Sequence, residues 1–521
     1  MRTRNKKRRR FASIARLYET AGDTAMKRSQ QVRALAKFEK ALAHVPTIRD
    51  EIRICEKIGW IFYKSARPEH AIPWLKRIPQ KYLELRDPPR AAEAMVRLAR
   101  VHVLELNTPE ALACVERAHA LLPVPYDEVT FDSPLPWIEM RKALYLARLG
   151  RYEEVAALEM SDKPHDDAAF SQPHYFRTRA TIYAARGNLR RAFSDFASAL
   201  DLLKNEGHSF PPMSIAADYA LWAIAFGHLD VAISNYELAL FIARGRGVKW
   251  RIPFFGLHLA GALTRAGDYV RAKDILASLV SSDTEAPVLR VLRSIVTFRL
   301  GFATQDEELL KRAPDNKALE LAFQSEEPQQ IGPLVASHVK LEVSLGNIGR
   351  AKQLIARAIP AIKQADHAWD LLALAARYGT TADARRGKAL LVERMQLPHH
   401  RVAAAYLELW ETYAALRKNE IPRAHLHGEK AIHLFARLGW KYQHAEALAV
   451  VGKRHSTFHD FKPELTLREQ EVVELVFRGL TNRSIAESLE ISESTVESHM
   501  TSILSRLGLR SRWQLMQFVR S

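Results

Sequence analysis

Four stretches of the chain share one spacing of small and large residues. They read YAARGNLRRAFSDFASAL around Ala192, WAIAFGHLDVAISNYELAL around Ala232, LTRAGDYVRAKDILASL around Ala272 and VSLGNIGRAKQLIARAI around Ala351. In each, a Gly stands five residues before the small residue, and an aromatic or aliphatic residue follows four after it. Residues four apart share one face of a helix, and a Gly between two apolar-periodic stretches marks the turn joining them. The small residue lets two helices approach closely, and the large one fills the gap to the next pair. One such pair cannot bury its apolar face alone, so neighbours must stack.

Weaker copies centre on Ala34, Ala71, Ala111, Val155, Ala384 and Ala424. The 79-residue gap between Ala272 and Ala351 leaves room for a divergent unit near 290–325. No alternating strand pattern runs through 11–450. The order Gly187, Ala192, Phe196, Ala199 resembles the tetratricopeptide repeat, although most spacings exceed that family's roughly 34 residues. The resemblance implies an all-α solenoid of stacked helix pairs. An irregular helical bundle is the other architecture such helices allow, and the recurrence of Gly and Ala in one order favours the solenoid. Trp222, Tyr236, Trp369, Tyr378 and Trp410 either line a groove or belong to the core, and helical spacing favours core.

Lys and Arg exceed Asp and Glu by 18, which favours an anionic partner, nucleic acid ahead of a membrane. Seven of those positive charges fall in the first ten residues, whereas residues 461–521 are formally neutral. Net charge therefore does not locate a DNA-binding domain. Cys55 and Cys114 stand outside any CxxC or Cys/His motif, so a disulfide framework and a zinc site are not expected, in keeping with a reducing cytoplasm. No apolar run reaches the roughly 18 residues of a membrane span.

Residues 454–464 break the helical pattern and read as a linker. Beyond it, Thr466 and Glu469 form a capping box for a first helix reaching Arg478 and stopping at Gly479. Thr481 or Asn482 caps a second helix through Leu489. Ser492 caps a third, ending near Gly508, and a fourth runs from about Ser511. Helices two and three are separated by three or four residues, the spacing of a helix-turn-helix. Ala486 permits a close crossing, Val496 packs back on it, and Ile491 anchors the turn.

With Leu465, Thr466, Arg468, Glu469, Gly479, Ile485, Ala486, Ser492, Thr495, Val496, His499, Ile503 and Gly508 in place, this segment resembles the LuxR-type (GerE-type) DNA-binding domain along its length. The resemblance implies that helix three enters the major groove, with Ser494, Glu497, Ser498 and Thr501 at base edges. It assigns phosphate contacts to Thr481, Asn482, Arg483, Thr495, His499, Arg506, Arg510 and Arg512; His499 equally suits local packing. Leu515, Met516 and Val519 either pair two domains or seal the domain's own core. Glu497 departs from the family, which usually has Lys or Arg there. A carboxylate repels phosphate but accepts from a cytosine amine.

The expected organisation is thus a basic arm (1–10), a tetratricopeptide-like array (11–453), a linker (454–464) and a four-helix LuxR-type domain (465–521). No phosphate loop, receiver domain or catalytic constellation is legible, and repeats from about residue 11 leave no room for an ATPase module. No enzymatic activity, cofactor or metal is expected. The histidine pairs His399–His400 and His425/His427 read as solvated. The function implied is that of a cytoplasmic bacterial transcription regulator. Its partners would be double-stranded DNA, bound as a homodimer, and a protein or peptide held by the array, with no membrane. The alternative is an interaction scaffold with a vestigial helix-turn-helix domain.

Overall fold

The computed structural model describes residues 2–521 apart from 29, 123–134, 159–171, 205–210, 247, 249, 280–284, 398–399, 453–465, 478–479, 507–511, 513–514 and 516–521. Among the described residues the chain is α-helix and short turns, with no strand. The expected linker lies outside the described residues. The basic run, expected as a separate arm, is on the backbone of the first helix, Arg2–Lys27.

Successive helices pair antiparallel as the repeat pattern predicts. Gln172–Ala185 packs on Leu189–Lys204, Pro211–Phe226 on Leu229–Gly245, and Arg401–Arg417 on Ile421–Leu438. The small residue of each unit is buried: Ala34, Ala71, Ala111, Val155, Ala192, Ala232, Ala272, Ala351 and Ala424. Its large partner is buried with it at Phe38, Leu75, Val115, Phe196, Tyr236 and Ile355. Burying each of these side chains contributes roughly 1.5–3 kcal/mol, so the pattern in the sequence is the core of the fold. Trp222, Tyr236, Trp369 and Trp410 are buried in that core as well.

The turn before each small residue takes the left-handed conformation, at Gly187 (φ 75°) and Gly227 (φ 87°). The weaker copies keep this geometry without glycine: Ala66, Leu106 and Asn419 have φ of 54°, 59° and 60°. At Ala66 and Leu106 the stacked neighbours impose a conformation that these residues disfavour locally, which is why the pattern fades in sequence but not in structure; Asn419 tolerates it. The long gap holds the divergent unit, Pro287–Thr304 with Glu307–Arg312, turning at Gln305 (φ 57°). Ala384 departs from the pattern, being only half-buried. In its helix, Thr381–Met395, the close approach is made by Gly387, where a Cβ would lie 3.1 Å from the Leu372 carbonyl oxygen.

The superhelix closes on itself. Arg148, the last residue of Leu135–Arg148, forms a two-point ion pair with Glu327, the N-cap residue of Pro328–Ser344 (2.9 and 3.0 Å). Thr108 also donates to Glu327. The Arg394 guanidinium sits 4.9 Å from the centre of the Tyr152 ring and pairs with Asp366. His400, expected to be solvated, is buried 3.3 Å from Asp366. His399 lies outside the described residues. The centre of the array is therefore filled by charged and aromatic side chains from opposite turns rather than left open as one continuous groove.

Candidate nucleic-acid interface

Three helices of the C-terminal segment are described: Leu467–Phe477, Asn482–Leu489 and Glu493–Arg506. The predicted N-terminal caps of these three helices are made, while Arg478 and Gly479, the predicted end of the first, lie outside the described residues. The Thr466 backbone N–H donates to Glu469 Oε2 (2.8 Å), while the Glu469 N–H donates to Thr466 Oγ1 (3.2 Å), completing the capping box. Thr481 Oγ1 accepts from the Ser484 N–H (3.2 Å), and Ser492 Oγ accepts from the Thr495 N–H (3.1 Å). Between the second and third helices, Glu490 takes a left-handed conformation (φ 53°). That kink turns the chain within three residues and sets the third helix across the second. The fourth helix lies outside the described residues except for Arg512 and Leu515, both helical.

The domain has its own core. Val472, Val473, Val476, Ile485, Ala486, Val496, Met500, Ile503 and Leu515 are buried together, with Ile491 packed at the edge. Of the two roles open to Leu515, the structure places it in this core; Met516 and Val519 lie outside the described residues.

Two residues beyond the core fix the third helix in place. Ser502 donates to Glu469 Oε1 (2.7 Å), and Arg506 Nε lies 3.7 Å from the same oxygen. Burial pushes the Glu469 carboxyl up, but donation from Ser502 and Thr466 outweighs it, and the group sits below its ordinary range. Arg468 donates to the Leu489 carbonyl oxygen at the end of the second helix. The capping box in the sequence identifies Glu469 as a cap. Its second contact, 33 residues away, has no local signal.

With its inner face held this way, the third helix presents Ser494, Glu497, Ser498 and Thr501 outward, all exposed. They follow i, i+3, i+4, i+7 spacing and form one stripe. Ser498 and Thr501 donate to carbonyl oxygens of their own helix (3.0 and 2.9 Å), so contact with another acceptor requires only a rotamer change.

The phosphate candidates divide. Thr481 and Arg483 are exposed at the start of the second helix, with Arg483 3.3 Å from Glu487. Thr495 and His499 are half-buried, and Arg506 is exposed. Arg512 is half-buried and donates to Asn482 Oδ1 and to the Leu480 carbonyl oxygen, so Asn482 and Arg512 hold each other. Arg510 lies outside the described residues.

One potential ligand cluster was invisible in the sequence. His102, Glu110 and Cys114 offer ligand atoms within 4.8 Å of one another. Arg117 already lies 2.6 Å from Glu110 and 3.2 Å from Cys114, and burial pushes the thiol up to about 11. A resident guanidinium beside a protonated thiol is a poor cation site. No helix among the described residues is long and apolar enough to cross a membrane.

Residues 463–519 match the family of bacterial regulatory proteins, luxR family. Over 54 residues the chain is 43% identical to the oxygen regulatory protein NreC of Staphylococcus aureus (strain JH9). That stretch is 10% of this chain and 25% of the relative, so the chain spans about a quarter of the length of the curated relatives it matches. Among solved structures, it is similar to a Rap protein complexed with competence and sporulation factor (14% identity, TM-score 0.43). That alignment covers 67% of this chain and 99% of the other. It is also similar to NprR in complex with its cognate peptide NprX (18% identity, TM-score 0.38, covering 66% and 99%). The capped and clamped helices of residues 463–519 thus form a LuxR-family helix-turn-helix domain, which follows a tetratricopeptide-like helical array in this chain.

Proposed function

We propose that this chain is a bacterial transcription regulator whose third C-terminal helix reads promoter DNA in the major groove. The observation that carries the reading is the exposed stripe Ser494, Glu497, Ser498 and Thr501 on a helix whose opposite face is fixed by Val496, Ile503 and Ser502. A reader of base edges needs polar side chains on a helix that does not rock. Thr481, Arg483, Thr495, His499, Arg506 and Arg510 supply the phosphate contacts. Arg512 contributes by holding Asn482. Two domains pair on DNA to read two half-sites. The array, within 11–453, receives the effector, a protein or peptide, and passes its state to the domain at 465–521.

The test is selection of bound fragments from a random double-stranded DNA pool by the full chain and by Glu497→Lys, across a salt series. The expected result is a half-site motif that changes with Glu497→Lys. Recovery of no motif, with binding lost at moderate salt, leaves only phosphate attraction and replaces the regulator with an interaction scaffold.

A further inference from the structure

A cavity of about 620 Å³, within the range of small-molecule sites, is lined by residues of the first part of the array, from Asp23 to Ser214. Six basic side chains and two carboxylates line it. Both carboxylates are engaged: Asp23 with Lys57 (2.8 Å) and Glu56 with Arg97 (2.8 Å). Adjoining it is a recess of about 100 Å³, which shares Tyr63, Arg100, Arg141, Arg177 and Ser214 with it and adds Arg251.

These six residues stand 37, 41, 36, 37 and 37 positions apart in the chain, one from each successive repeat. The stacking therefore brings equivalent positions into a column along the lumen. Asp218 answers one of the arginines, accepting from Arg177 Nε (2.6 Å). Arg100 donates to Tyr63 Oη (3.2 Å), and Arg251 donates to Ser214 Oγ (3.1 Å). The Nε of Arg141 is buried without a hydrogen-bond partner. Burial, with Arg100 and Arg177 nearby, holds its guanidinium below the ordinary value. A desolvated cation among like charges is costly unless an anion joins it. Around this floor, Trp60, Tyr63 and Trp137 supply flat apolar walls, with Trp60 and Tyr63 in edge contact at 4.9 Å.

We propose that this cavity binds a compact organic anion, a carboxylate or phosphate on a flat apolar body, with the anion at Arg141 and the body against Trp60 and Trp137. The size of the ligand follows from what lies behind the recess. There the Arg148–Glu327 pair spans the lumen, and the next cavity along, lined by Arg148, His258 and His367, is again only about 100 Å³. An extended peptide has no passage through it. This site goes beyond DNA binding and stands on the array alone, so its failure leaves the reading of the C-terminal domain untouched.

The experiment is calorimetric titration of the full chain, without DNA, with indole-3-acetate and phenyl phosphate. Indole-3-acetamide and phenol serve as their neutral counterparts, and an apolar hexapeptide as the extended competitor. The expected result is binding of at least one anion with Kd below about 1 mM. Its neutral counterpart should bind at least about ten-fold more weakly. Whether the carboxylate or the phosphate binds identifies the anion class. Arg141→Gln removes most of the preference, and Arg141→Lys restores part of it. Ser214→Asp, which installs a carboxylate in the recess, abolishes binding and raises the melting temperature. Equal affinity for charged and neutral probes, no effect of Arg141→Gln in a folded variant, or no binding by either anion overturns the proposal. Preference for the hexapeptide overturns it in favour of a peptide site.

Discussion

Arg148 and Glu327 are 179 residues apart in the chain, and their side chains meet in a two-point ion pair with the carboxylate fully buried. Glu327 also accepts from Thr108 and Gln329 and stands at the N-cap position of the helix that follows it. The pair ties an early turn of the superhelix to a late one. Removing one partner leaves the other charge buried and unmatched, which costs about 3–5 kcal/mol. Glu327→Gln is therefore expected to lower the urea midpoint of the array by that equivalent. A midpoint within error of wild type would show that the two turns do not depend on the pair.

The array is expected to lose stability on mild acidification. Burial lowers His338 to about 4, and it lowers His367 to about 4 despite the neighbouring Asp366. The unfolded chain takes up these protons near pH 6.5 and the folded chain only near pH 4, so between those values the unfolded state binds more protons. Stability then falls as pH falls, by up to about 1.4 kcal/mol per pH unit for each histidine. His367 has φ 67°, a conformation Asn tolerates. The double variant His338→Gln, His367→Asn should reduce the slope between about pH 6 and 4.5, the remainder coming from His174, His258 and His400, which burial also lowers. An unchanged slope would assign it to other groups.

Two glycines offer opposite outcomes for the same substitution. A Cβ at Gly332 would lie 2.5 Å from Ala368 Cα, a backbone atom that cannot swing aside, whereas one at Gly349 meets nothing within 4 Å. Gly332→Ala is expected to destabilise by roughly 1–3 kcal/mol through overpacking. Gly349→Ala, on the helix Ile348–Ala358, is expected to stabilise by about 0.5–1 kcal/mol. Denaturant titration of the two single variants compares them directly, and effects of the same sign would refute the placement of Gly332 against Ala368.

In the C-terminal domain, Glu469 accepts from both the start of the first helix and Ser502 of the third. Its folded value lies below its ordinary one. Its contribution is thus present above about pH 4.5 and lost as pH falls through the folded value. Glu469→Gln should weaken the domain at neutral pH and remove this portion of its acid sensitivity. Thermal unfolding followed at neutral and acid pH measures both effects.

Arg483 and Arg512 should behave differently when truncated. Arg483 is exposed at a helix start, and Arg483→Ala is expected to reduce the salt slope of DNA binding by about one with the fold intact. Arg512 holds Asn482 and the Leu480 carbonyl, so Arg512→Ala should lower the domain's melting temperature as well. A normal melting temperature for Arg512→Ala would return it to the phosphate-contacting set.

The repeat units, the C-terminal helices and their caps were legible in the sequence because local spacing creates them. Ala192 with Phe196 shares a helix face whatever lies elsewhere, and Thr466 finds Glu469 three residues on. The left-handed turns at Ala66 and Leu106 were not legible, because those residues disfavour that conformation and accept it only under the pressure of stacked neighbours. The outward stripe from Ser494 to Thr501 followed from the resemblance to the LuxR-type domain. The tie between Asn482 and Arg512 did not, since it spans 30 residues. The closure through Arg148 and Glu327, the burial of His400 against Asp366 and the column from Tyr63 to Arg251 were decided by tertiary structure alone. Each depends on how much every repeat rotates against the last, an angle summed over many interfaces that no short stretch of sequence contains.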